Sequence, residues 1–271
     1  MKVLALAGVL FVAIPVFLGP SSAKSQARAQ DEITVTVLFD NLWTDDRLQT
    51  GWGFAALLET PGHTVLFDTG ADGEILLENM RLMDKDPARI EAVIISHAHG
   101  DHTGGMQALF DLGIRPRLYL LPGFPQEMRD QAAESVEMIE AAPGQEIIPG
   151  VISTGQVGES IPEQALILET AEGLVVLTGC AHPGVVQMVE RARELRSGTL
   201  HQVMGGFHLM NATGQEIQGV VEEFRRLQVK RAGPTHCSGL MAMTVFQSAY
   251  GEDFVRLGVG RVLRFPLPAT P

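Results

Sequence analysis

The chain is poor in cysteine, in basic residues and in long apolar runs. Only Cys180 and Cys237 occur in 271 residues, too few for a disulfide scaffold, although an exported protein could pair them. Twenty Lys and Arg face 32 Asp and Glu, a formal net charge of −12. A surface that acidic repels nucleic-acid backbones, so a small-molecule substrate is expected and no nucleic-acid partner. Repeats of the solenoid or propeller kind are absent. No stretch after residue 31 is rich enough in Pro, Gly or Ser to separate domains. Apolar residues nevertheless make up 45%, enough for the buried core of one large domain or two small ones.

The N-terminus reads as a signal rather than as part of the fold. Lys2 supplies a positive start, and Val3 to Leu18 is apolar but for Gly8 and Pro15. Ala27-Arg28-Ala29 has the small-x-small spacing of a cleavage site, and Ser21-Ser22-Ala23 offers a second. The alternative is an uncleaved membrane anchor, but the run is short for a spanning helix and holds a proline. No other segment is long and apolar enough to span a bilayer, and no lipid-anchor cysteine is present. Residues 1–29 are thus expected to be a cleaved signal and 30–271 the working domain. It would act in the periplasm or outside the cell, with no stable membrane insertion. Cleavage would remove Lys2, Lys24 and Arg28, leaving 17 basic against 32 acidic residues, a net charge of −15.

Periodicity predicts strands at Ile33–Phe39, Gly53–Glu59 and Thr64–Asp68, then a helix at Gly73–Met83 and a buried strand at Ala92–Ile95. Helix Thr103–Leu112, with Thr103 as cap, strand Arg117–Leu121 and helix Pro125–Ala142 follow. Short strands are expected near Glu146–Thr154, at Ala165–Glu169 and at Leu174–Thr178. The remainder alternates: a helix opened by Pro183, strand Gln202–Gly205, a helix capped by Thr213 and Glu216, strand Lys230–Pro234, helix Met241–Ala249 and strand Val259–Arg264. That order suits an α/β fold, two packed sheets with helices outside. Met106, Met128, Met138 and Met188 fall at helical positions and read as core packing.

The chemistry concentrates in Ser96-His97-Ala98-His99-Gly100-Asp101-His102-Thr103-Gly104-Gly105, which holds three of the eight histidines within six residues. Residues two apart in an extended segment point the same way, so His97 and His99 can share one metal. Asp101 and His102 sit where the chain turns and can face a second. Imidazole and carboxylate suit zinc, manganese or iron, with two divalent ions, zinc first, as the expectation. A chance histidine run in a loop is the alternative, and the core strand leading into the cluster argues against it.

The His-x-His-x-Asp-His pattern resembles the signature of the metallo-β-lactamase superfamily. Phe67-Asp68-Thr69-Gly70 is similar to that family's earlier strand-end motif, where Asp68 would orient a metal-bound imidazole. Thr178-Gly179-Cys180-Ala181-His182-Pro183-Gly184, Gly205-Gly206-Phe207-His208-Leu209 and Pro234-Thr235-His236-Cys237-Ser238-Gly239 resemble one branch, as do Asp40-Asn41 and Trp52-Gly53-Phe54. Its named members are 7,8-dihydropterin-6-ylmethyl-4-(β-D-ribofuranosyl)aminobenzene 5′-phosphate synthases. The resemblance spans about residues 33 to 265 and implies an αββα sandwich of two mixed β-sheets flanked by helices. It also implies a third histidine on the first metal and a late one on the second. No histidine lies between His102 and His182, so His182 is the candidate for the first and His236 for the second.

Cys180 stands where many relatives carry aspartate. It either binds metal or packs against the strand end, and packing or a supporting role is the reading preferred. His208, after two glycines, is a ligand, a substrate contact or the acid that protonates a leaving group. Cys237 reads as a packed thiol pointing away from His236, while His63 and His201 read as surface residues. The implied function is an exported metal-dependent hydrolase of an ester, lactone, amide or phosphoester, in which a metal-activated hydroxide attacks and Asp101 orients it. The alternatives are a transferase of the synthase type, an iron-dependent redox member and a non-catalytic metal-binding member. The synthase substrates are cytosolic, which weighs against that activity in an exported protein. The late motifs are unlike those of β-lactamases.

Overall fold

The computed structural model of the protein describes residues 32–269, and the expected signal segment lies outside them. The chain opens with strand β1 (Glu32–Phe39), then the hairpin of β2 (Ala55–Thr60) and β3 (His63–Phe67), turning at Gly62. Helix α1 (Gly73–Leu82) starts where Asp72 accepts from the Glu74 and Ile75 backbone N–H groups. Strand β4 (Ala92–Ile94), short helices α2 (Gly100–Thr103) and α3 (Met106–Asp111), strand β5 (Arg117–Leu120), helix α4 (Gln126–Ser135) and strand β6 (Met138–Glu140) follow. Next come β7 (Glu146–Ile148), β8 (Val151–Ser153), β9 (Leu166–Thr170), β10 (Gly173–Thr178), α5 (Val185–Leu195) and β11 (Leu200–Gly206). The last elements are α6 (Gly214–Arg226), β12 (Arg231–Thr235), α7 (Gly239–Tyr250) and β13 (Val262–Pro266).

Two mixed sheets result. One runs β13-β1-β2-β3-β4-β5-β6, the other β12-β11-β10-β9-β8-β7. Strand alternation shows how they pack. On β10, Val175 and Leu177 join the apolar cluster shared by both sheets, while Leu174 and Val176 join a second cluster under α5, α6 and α7. On β9, Leu166 and Leu168 face the first cluster and Ile167 the second. The second sheet is therefore buried on both faces, one against the other sheet and one against helices. This is the αββα sandwich. Phe207, Phe224 and Phe246 meet edge to face with ring centroids 5.5–5.6 Å apart, tying the loop after β11 to α6 and α7. Such pairs contribute roughly 0.5–1.5 kcal/mol each beyond burial.

Several local expectations are corrected. The helix predicted to reach Ala142 stops at Ser135, where Val136 turns extended (φ −146°) and Met138–Glu140 pairs with β5 instead. Sheet-edge pairing outweighs helical spacing there, and Met138 sits on a strand. The helix expected over Thr103–Leu112 breaks into two at Gly104-Gly105. A Cβ on Gly104 would lie 2.3 Å from the Ala71 carbonyl and one on Gly105 2.2 Å from that of Thr69, so the glycines admit the loop after β3. Thr103 lies inside α2 and donates to the His99 carbonyl rather than capping a helix. Pro183 precedes α5 by two residues, in a turn closed by Gly184 at φ 104°. The Thr213–Glu216 capping box forms as predicted. Among the described residues no helix is long and apolar enough to cross a membrane.

Candidate metal centre

The parallel strands β3, β4, β10, β11 and β12, with β1 running the same way, carry the chemistry-bearing residues just past their C-terminal ends. Asp68, Ala181, His208 and His236, in four of these loops, hold positive φ of 50–62°. Non-glycine residues there carry a local backbone cost, and such strain gathers at functional sites.

His97 Nε2 stands 3.1 Å from His99 Nδ1, and the His182 ring packs against both, centroids 4.5 and 4.8 Å away. Asp101 Oδ2 lies 3.6 Å from His102 Nε2 and 3.4 Å from His236 Nε2. Cys180 Sγ is 3.3 Å from His102 Nε2. Donor atoms of His97, Cys180 and His182 lie within 4.8 Å of one another, as do those of Asp101, His102, Cys180 and His236. One thiol thus adjoins both histidine sets, more than the packing reading of Cys180 anticipated. His208 is exposed, with its ring 4.3 Å from that of His182. All the sequence-predicted residues are therefore brought together. Cys237 is a buried thiol, as expected, and it also reaches two other donors. His236–Ser238 coils into a tight 3-10 turn, and the Cys237 sulfur comes within 4.8 Å of donors on Cys180 and His208. Both thiols are free.

Behind these side chains lies a shell of fixed acceptors. Asp68, fully buried, accepts from the Ser96 N–H, the Ser96 hydroxyl and His102 Nδ1, so Nε2 of His102 faces the cluster. Burial pushes the Asp68 carboxyl up to about 7 against the lowering pull of His97 and Ser96. Glu163 is equally buried. One of its oxygens accepts from the Cys180 and Ala181 N–H groups, the other from the His182 N–H and His182 Nδ1. Burial opposes its charge, yet those bonds and His97 hold its pKa down to about 2. Asn41 accepts from His236 Nδ1 and donates to the His236 carbonyl. Burial keeps His97 (pKa about 3) and His102 (about 4) neutral, the form that binds metals. At His236 burial is outweighed by Asp101, and its pKa is raised.

Glu163 is the residue that sequence reasoning missed. It stands alone between Pro162 and Gln164, and no spacing links it to His182. Asn41 was visible only as part of a branch motif. His63 pairs with Glu91 at 2.7 Å, outside the cluster. His201 also lies outside it but is no surface residue. Its side chain is only 12% exposed, because β11 carries it inward beside Glu172 and Phe265.

Comparison with known proteins agrees with this geometry. Residues 52–119, which include the histidine cluster, match the family described as the metallo-beta-lactamase superfamily. A solved metal-dependent hydrolase of the beta-lactamase superfamily superposes with a TM-score of 0.71 at 25% identity, covering 86% of this chain and 99% of its own. Over that stretch, and in its two-sheet fold, the chain is similar to the metallo-β-lactamase superfamily. It is also similar to a 7,8-dihydropterin-6-methyl-4-(beta-D-ribofuranosyl)-aminobenzene-5'-phosphate synthase of Methanocaldococcus jannaschii. The two are 28% identical, across 80% of this chain and 90% of that protein. The metallo-beta-lactamase fold protein YhfI of Bacillus subtilis shares the fold at TM-score 0.60 and 15% identity, over 86% of this chain and 99% of that one.

Proposed function

We propose that the protein is an exported metal-dependent hydrolase of the metallo-β-lactamase superfamily, acting on an ester, lactone, amide or phosphoester. The observation that carries the reading is the pairing of two donor sets across Cys180. The donors fit divalent metal. His236 Nε2 is buried without a hydrogen-bond partner, and an orphaned imidazole nitrogen there is costly unless a cation takes it. His97, His99 and His182 would hold one ion and Asp101, His102 and His236 the other, with Cys180 adjoining both. The thiol and imidazoles favour zinc, then iron or manganese, over magnesium. Two such ions lower the pKa of water and steady developing negative charge.

The chain's own residues do the rest. Asp68 and Asn41 accept Nδ1 protons, and Glu163 does the same for His182, which fixes each ring with Nε2 inward. Asp101, partly open to solvent, orients a water beside His102 and His236. His208 is placed to hand a proton to a departing group. Support for export comes from Lys2, the apolar run to Leu18 and the Ala27-Arg28-Ala29 spacing. The 28% identical synthase favours a transferase as the second reading.

Elemental analysis and a hydrolase panel on protein purified without chelator test the proposal. His97→Ala and His99→Ala should each lose metal and turnover with unchanged circular dichroism. Protein without tightly held divalent metal, or variants as active as the parent, would overturn it. Transfer without hydrolysis would select the second reading.

A further inference from the structure

Eight large apolar side chains stay exposed among the described residues, and four of them belong to segments that flank the donor residues: Trp52 and Met210 in loops, Leu240 and Met241 in the first turn of α7. The Trp52 ring, 48% exposed, lies 4.9 Å from the His236 ring. Its position is fixed by its neighbours. The Phe54 N–H donates to the Asp101 carbonyl, and a Cβ on Gly53 would stand 2.3 Å from that same oxygen. Met210 follows His208 by two residues, and its N–H donates to the Cys237 carbonyl. A Cβ on Gly239 would sit 2.8 Å from the Met210 backbone, so this strand-end loop and the start of α7 touch. Leu240 and Met241 come next, 74% and 57% exposed, while Ala242 and Phe246 of the same helix are buried. Single exposed apolar residues need no explanation, but a group bordering a polar donor cluster marks a binding surface.

We propose that Trp52, Met210, Leu240 and Met241 form an apolar shelf that binds the non-reacting part of the substrate, an acyl chain or aryl ring, beside the metal centre. The shelf's occupant is the substrate rather than another protein, because each part of it adjoins a donor-bearing segment. Trp52 lies against the His236 ring, and Met210 donates its N–H to the Cys237 carbonyl and touches the start of the helix that carries Leu240 and Met241. The inference rests on the hydrolase reading for the identity of the reacting bond, and it narrows the substrate to an ester, lactone or amide with an apolar substituent.

The test needs no turnover. Trp43 and Trp52 are the only tryptophans, so Trp43→Phe leaves Trp52 as sole reporter. Metal-loaded Trp43→Phe protein is titrated with acetate, butyrate, hexanoate and octanoate while Trp52 emission is followed. Affinity should rise about two- to fourfold per methylene, the range set by partial to full burial of a CH2 group. Leu240→Ser and Met241→Ser, both on the surface, should flatten the series while leaving acetate binding unchanged. Leu112→Ser, exposed elsewhere, should leave the series intact. Affinity independent of chain length, or flattened equally by Leu112→Ser, would overturn the shelf. So would sedimentation showing a dimer that Leu240→Ser dissolves together with a flat series, which would assign the patch to a second copy of the chain. A steep series in protein without hydrolase activity would keep the shelf and remove the hydrolase reading.

Discussion

Replacing Glu163 with glutamine tests the shell behind the metal centre with a change of one atom. The buried carboxylate accepts four hydrogen bonds, two on each oxygen. An amide keeps one acceptor oxygen and turns the other into a donor. If the NH2 faces Cys180 and Ala181, two backbone N–H groups meet a donor, and losing two charge-assisted bonds costs roughly 3–6 kcal/mol. If it faces His182, one backbone N–H is orphaned, at about 1.5–3 kcal/mol, and Nδ1 must become the acceptor. The imidazole proton then moves to Nε2, the nitrogen needed for coordination. The protein takes the cheaper arrangement, so Glu163→Gln should lower unfolding stability by about 1.5–3 kcal/mol. It should also weaken metal binding by about 10- to 100-fold. Urea denaturation of metal-free protein measures the first effect, and competition with a chromophoric chelator the second. A variant whose midpoint and metal retention both match the parent would show that Glu163 only fills space.

Three further outcomes are expected. His182→Ala and His236→Ala should each lose metal on dialysis, while His63→Ala and His201→Ala keep both metal and turnover; loss of an ion from His208→Ala alone would reassign the first position. Gly179→Ala should cost both stability and metal, since its Cβ would stand 2.1 Å from Ser96 Oγ and 2.9 Å from Asp68 Oδ2, and an unchanged melting temperature would contradict that packing. The exported protein should begin near Gln30, and N-terminal sequencing that finds Met1 would refute the signal.

The sandwich was legible because strand β10 and its neighbours are apolar on both faces and alternate with helices whose caps are written locally, as at Thr213 and Glu216. The metal-competent residues were legible for a different reason: His97 to His102 are adjacent in the chain, and His182, His208 and His236 each lie just past the end of a strand with a glycine within three residues. Glu163 was not legible, because its partners are backbone N–H groups 17 to 19 residues away. The approach of the Cys237 sulfur to Cys180 and His208 was not legible, because it depends on the turn the chain makes where His236 adopts φ 50°. The end of α4 was misplaced because β5 offers Met138–Glu140 a ladder that local spacing does not encode.

The donor cluster belongs to neither sheet alone. His97 to His102 extend from the seven-stranded sheet, while His182 and His236 extend from the six-stranded one. A divalent ion held by both groups would rivet one leaf of the molecule to the other, in addition to β13, which crosses back to pair with β1. Chain cleavage in the exposed Gly158–Ser160 turn would then leave two fragments, each with an incomplete set of donors. Mixed together, they should reassemble most readily when metal is supplied, because the ion binds only the joined form and draws the equilibrium toward it. A hundredfold excess of free ion over its dissociation constant favours the joined form by about 2.7 kcal/mol.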